Sequence, residues 1–220
     1  MCLTGRNLAL EGDMNTTTGN RYALAGWASI CSAALTLAML GLTLAFDLSQ
    51  IVETRGAFSP AMWTIQQTAL VVALDAAAWV TGVYAFIRFR DLLRERYNFH
   101  AIDQLIWIVI VAGLLIAVAS HGQRILADRT LGNAVIGVAT MVMLGVLNGV
   151  IGIVFATRLL KINGNLNGYK KPLAYVYLAG SICFMLVVPA LVGIVLLCVF
   201  NVILALVFFQ GDELEELEVV

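Results

Sequence analysis

From Pro172 to Phe209 the chain carries no charged side chain, and Ser181 and Asn201 are its clearly polar members. One straight helix through that stretch, rising ~1.5 Å per residue, would be roughly 57 Å long, nearly twice the ~30 Å hydrocarbon core of a bilayer. The run must fold back on itself, and its solvent is lipid. Four more apolar blocks precede it, at 22–46, 61–87, 102–120 and 133–157. The expected fold is an all-α, polytopic integral membrane helical bundle.

The turn in the final run sets the number of spans. Pro189, followed by Gly193, lies near its middle, and a proline removes a helix hydrogen bond and clashes with the preceding turn. Splitting there gives 173–188 and 190–209, hence six transmembrane helices. The first piece is short, but Lys170 and Lys171 can snorkel to the headgroups, and Pro172 suits a first helical turn. A kinked or re-entrant helix in place of the split leaves five spans. On either count the expected organisation is an N-terminal tail over 1–21, one bundle domain over 22–210 and a short acidic tail over 211–220. Met14 opens a compact lead, so residues 1–13 read as a start-site artefact or a disordered tail. The first block is well beyond the length of a signal-peptide core and no small-x-small cleavage pattern follows it, so it reads as an uncleaved span.

Composition narrows the function classes. Apolar residues make up 61% of the chain and charged residues 12%, about half the charged share of a soluble domain. The 13 basic residues fall in short loops between spans instead of on one face, which argues against nucleic acid. Cys2, Cys31, Cys183 and Cys198 show no paired spacing, and three lie in apolar blocks where a thiol behaves as a small hydrophobe. Neither a disulfide nor a metal is expected.

Basic residues also give the direction, since cytoplasmic loops carry the excess of Lys and Arg. Arg6, Arg21, Arg88, Arg90, Arg94, Arg96, Arg158, Lys161, Lys170 and Lys171 gather on one side, against Arg55, Arg124 and Arg129 on the other. The N-terminus is therefore expected in the cytoplasm, across a bacterial-type inner membrane. All six tyrosines, with Trp27 and Trp107, fall near the inner boundary, and Trp63 marks the outer one. A faint repeat at an offset of 67 residues, with Leu92-Leu93-Arg94 matching Leu159-Leu160-Lys161, suggests that spans two and three copy spans four and five; chance similarity between apolar segments explains it equally well.

Asp75 is the residue to explain, because a charge near the midplane costs at least ~2.5 kcal/mol. Thr64, Thr68, Val71, Val72, Ala78, Trp79 and Gly82 share its stripe, which should face the bundle. Asn148, Asn201 and Thr36 are central in their own spans, so these four residues are candidates for one mid-membrane cluster. Span three is uniformly apolar and expected at the periphery. Two readings stand. Asp75 binds a proton or cation among amide and hydroxyl neighbours, or it stays protonated through desolvation and serves as interhelical glue. Gly145, Gly149 and Gly152 form a small-xxx-small pattern for close helix packing, within the chain or between copies. Arg88, Arg90, Arg94 and Arg96, on a stretch expected to extend span two, are candidate contacts for anionic lipid headgroups or ordinary positive-inside anchors.

Absences exclude several chemistries. His100 and His121 fall at opposite membrane faces and cannot share one haem or metal, and no Lys lies in a span to carry a Schiff base. There is no HExxH, GxSxG or phosphate-cradling GxxxxGK[ST] motif. His121 with Asp128 lacks a nucleophile in any recognisable context. No catalytic residue, metal or cofactor is expected. The expected role is a non-enzymatic accessory, assembly or interaction subunit, with membrane lipids and a membrane-protein partner or second copy as its company. The alternatives are a small proton- or cation-coupled permease or channel at Asp75, and a lipid-interacting regulator.

Overall fold

The computed structural model describes residues 22–53, 65–126, 131–162, 166–186 and 190–217. Six α-helices account for nearly all of them: α1 (Ala23–Glu53), α2 (Ile65–Tyr97), α3 (Asp103–Leu126), α4 (Leu131–Leu160), α5 (Lys170–Met185) and α6 (Ala190–Leu217). A 3₁₀ turn, Leu166–Gly168, leads from α4 towards α5. The protein is a polytopic helical bundle, and α1, α2, α4 and α6 each contain a stretch long and apolar enough to cross a membrane. The inverted surface fits that solvent, since Leu24, Val80, Val118, Met143 and Leu186 all stand exposed.

The final apolar run does fold back. Phe184 and Cys183 of α5 close on Gly193 of α6, while Tyr177, farther back along α5, meets Phe200, farther on along α6. Contacts whose numbers diverge in this way mark two antiparallel helices, which rules out one continuous rod. Residues 187–189, which include Pro189, lie outside the described residues, as do 1–21. Pro172 falls in the first turn of α5, where its missing N–H costs nothing. Helix α2 continues through the arginines to Tyr97, and α6 runs on to Leu217 into the acidic segment that was expected as a tail.

Successive helices run antiparallel and pack in chain order, and α6 returns to α1 to close the ring. Small residues make the close approaches, as expected where lipid is as apolar as leucine and burial alone gives helices little reason to associate. A Cβ at Gly149 would stand 2.8 Å from the Ser181 carbonyl and 3.0 Å from Met185, so α4 and α5 touch backbone to backbone. Gly152 faces Ser181 and Tyr177 on the same seam. Between α5 and α6, Gly180 and Gly193 pack against each other's carbonyls. Between α1 and α2, Ser32 Oγ donates to the Ala78 carbonyl at 3.0 Å, with Gly82 against the same hydroxyl.

Large side chains interlock mainly at one end, called here the basic end because the arginines of α2 and α4 lie there. Phe89, Leu92, Leu93, Ile102, Ile106 and Phe208 are fully buried in that half. The turn after α2 is locally determined. Asn98 adopts φ 45°, a left-handed conformation that asparagine tolerates, and the Phe99 N–H reaches back to the Leu93 carbonyl at 3.2 Å, closing the end of the helix. Phe99 packs on the core beside it.

Candidate functional site

An aromatic layer provides a ruler for depth. The rings of Phe155 and Phe200 lie 4.9 Å and 4.7 Å from that of Tyr177, and Phe86 stands 6.0 Å from Phe155 and 5.8 Å from Phe200. Four helices thus meet at one height. Asn201, next to Phe200, sits in that layer. Asn148 is seven residues from Phe155 and Asp75 eleven from Phe86, so at ~1.5 Å per residue they lie roughly 10 Å and 16 Å farther from the basic end. Thr36 stands one turn beyond Ser32, which contacts Ala78, and Asp75 is three residues before Ala78. The fold therefore brings Thr36 and Asp75 to a common height on adjoining helices and spreads Asn148 and Asn201 below them.

Asp75 is half-buried and engaged. On its stripe Val71 and Ala78 are 1% and 6% exposed, and Trp79 packs on the core. Thr64 lies outside the described residues, and the side chain of Thr68 is likewise outside them. Thr36 donates its Oγ1 proton to the Ser32 carbonyl at 2.8 Å, one turn back in its own helix. Asn148 is half-buried beside Gly149 on the α4–α5 seam. Asn201 Oδ1 and Ser29 Oγ are buried and make no hydrogen bond to any described residue. Buried oxygens of this kind ordinarily recruit a water or bear a desolvation cost of about 1–3 kcal/mol.

Gly145, Gly149 and Gly152 all face α5, Gly145 with 3.7 Å from its would-be Cβ to the Phe184 carbonyl. The small-residue pattern is spent inside the chain. The proposed 67-residue repeat does not carry equal packing, because no described glycine of α2 packs on α3 and the two helices touch only lightly. Span three keeps its expected peripheral place, with Ile108, Val111, Leu115 and Val118 exposed along α3.

At the basic end each of the four arginines of α2 has a partner within the protein. Arg88 donates to Tyr84 Oη at 3.3 Å and lies 4.0 Å from Asp91; Arg90 donates to Asp91 at 2.9 Å and 3.2 Å. Arg94 grips Asp103 at the start of α3 through Nε, at 2.8 Å, and Nη2. Arg96 lies over the Tyr22 ring, whose hydroxyl donates to Glu95 at 2.6 Å and fastens α1 to α2. Lys170 donates to the Ile162 carbonyl at 2.7 Å across the α4–α5 connection. His100 stands 3.5 Å from Asp103, while His121 falls near the far end of α3.

Sequence reasoning missed the contact of Tyr22 with Glu95 and the role of Asp91 and Asp103 as arginine partners. The available signal was the pair of acids among so many arginines, too local to be seen when the segment is treated as a solvated anchor. Among the described residues no group of three or more His, Cys, Asp or Glu is placed to hold a metal. No family model, curated protein or solved structure matches the chain.

Proposed function

We propose that the protein is a non-enzymatic accessory, assembly or interaction subunit of a bacterial-type inner membrane, its basic end and N-terminus facing the cytoplasm. The supporting observation is the aromatic layer. Phe86, Phe155, Tyr177 and Phe200 reach inward from four helices and stack at one height, filling the space a conduction path would need. The polar residues of the spans lie at different depths, and much of their hydrogen bonding returns to backbone carbonyls, as at Ser32, Thr36 and Ser181. The ten-to-three distribution of basic residues supports the orientation.

The competing reading is a permease centred on Asp75, favoured by the common height of Asp75 and Thr36. Reconstitution in vesicles under a pH gradient, with a proton-sensitive dye inside, separates the two. An accessory subunit adds no proton or Na⁺ flux, and Asp75→Asn leaves its co-migration with other membrane proteins on native gels intact. Flux that requires the wild-type protein and disappears in Asp75→Asn would replace this reading with transport.

A further inference from the structure

Between α3 and α4 the bundle leaves an open apolar groove of about 330 Å³, walled by Trp107, Val111 and Leu115 on one side and Leu144, Leu147 and Ile151 on the other. It exists because bulky aliphatic side chains face each other there, without glycines like those that close the α4–α5 seam. From Trp107 to Leu115 it runs ~12 Å along α3, slightly less than the ~15 Å half-thickness of a hydrocarbon core. That is the reach of one leaflet's acyl chain.

The two ends of the groove differ in charge. Trp107 and Ile151 mark the end nearer the arginines, and there the Arg90 guanidinium lies 5.9 Å from the centre of the Trp107 ring. On α4, Arg158 stands two turns beyond Ile151 on the same face and is exposed, with exposed Lys161 just after it. Gln104, also exposed, lies one turn before Ile108 on α3. The nearby acids are already engaged, Asp91 by Arg90 and Asp103 by Arg94. Positive charge in excess therefore stands roughly 10 Å above the apolar slot, where the phosphate of a seated lipid would lie.

We propose that this groove is a seat for one acyl chain of an anionic phospholipid from the leaflet at the basic end, with Arg158 holding the phosphate and Trp107 at the interface. The assignment is independent of the accessory-subunit reading, because it needs only that the protein sit in a bilayer. Lipid that merely coats the basic end would owe its headgroup preference to the whole surface and keep it when one side chain is neutralised. A seat with a cation at its mouth loses its preference with that cation.

The test uses the full chain with Trp27, Trp63 and Trp79 replaced by Phe, in nanodiscs of phosphatidylcholine doped with lipid brominated on its acyl chains. Brominated phosphatidylglycerol should quench Trp107 at about fivefold lower mole fraction than brominated phosphatidylcholine, the factor expected for one basic residue at a membrane surface. Arg158→Gln should bring the two lipids to parity without loss of fold, since the side chain is exposed. Filling the slot with Val111→Phe and Leu147→Phe should reduce quenching by both. Equal quenching by the two lipids in the protein that keeps only Trp107, or a preference that survives Arg158→Gln unchanged, would overturn the proposal.

Discussion

The two halves of this bundle are held by different means. At the basic end, large side chains from several helices interlock, and hydrogen bonds from Tyr22, Arg94 and Lys170 tie the ends of successive helices together. Towards the other end, helices meet through glycines, serines and alanines, and their bulky residues face outward, as Leu186, Leu191 and Val192 do. In a solvent as apolar as the side chains themselves, leucine gains little by turning inward. Contact then depends on how closely backbones can approach, and where small residues are lacking, as between α3 and α4, a groove remains.

The largest test of that contrast is truncation on each side of it. Phe155→Ala removes a buried ring from the aromatic layer and should cost towards the lower end of the ~3–5 kcal/mol typical of Phe→Ala in cores, since lipid weakens the transfer part while the cavity remains. Leu191→Ala, at an exposed site in the other half, should stay within about 0.5 kcal/mol. Reversible unfolding in mixed micelles measures both, and equal losses would erase the distinction.

A sharper comparison keeps the chemistry constant and changes the seam. Gly149→Ala drives a methyl against the α5 backbone and should destabilise by about 1–3 kcal/mol. Gly113→Ala on α3 meets only the Trp79 indole, at an ordinary 3.6 Å or more, so it should be neutral or gain up to about 1 kcal/mol from helix propensity. Among the variants expected to destabilise, the smallest loss belongs to Tyr22→Phe. Loss of its bond to the exposed Glu95 should cost about 1 kcal/mol, and a double-mutant cycle with Glu95→Gln should assign most of that to the pair.

Helix existence was legible in the sequence because uncharged blocks of such length have few other stable forms in water or lipid. The reversal near Pro189 was legible as well, from the mismatch between the run's length and bilayer thickness. Depth was not. Asp75, Asn148, Asn201 and Thr36 each look central within their own spans, yet Gly149 on Ser181 and Phe200 on Tyr177 set the sliding of one helix against the next, and no single-chain pattern encodes that register. Arg94 likewise reads as a free anchor until the cap at Asn98 turns the chain and brings Asp103 beside it.

The account rests above all on α5 and α6 being separate antiparallel helices that touch through small residues. A Cβ at Gly193 would stand 3.3 Å from that of Cys183, close to the ~3.5–4.5 Å span of a disulfide. Gly193→Cys, in a background with Cys2, Cys31 and Cys198 changed to Ala, should form an intramolecular disulfide under mild oxidation in native membranes, detected by mass spectrometry of the linked peptides. Along one continuous helix the two thiols would be ~15 Å apart, and a chain that folds, inserts and stays fully reduced would contradict the fold described here.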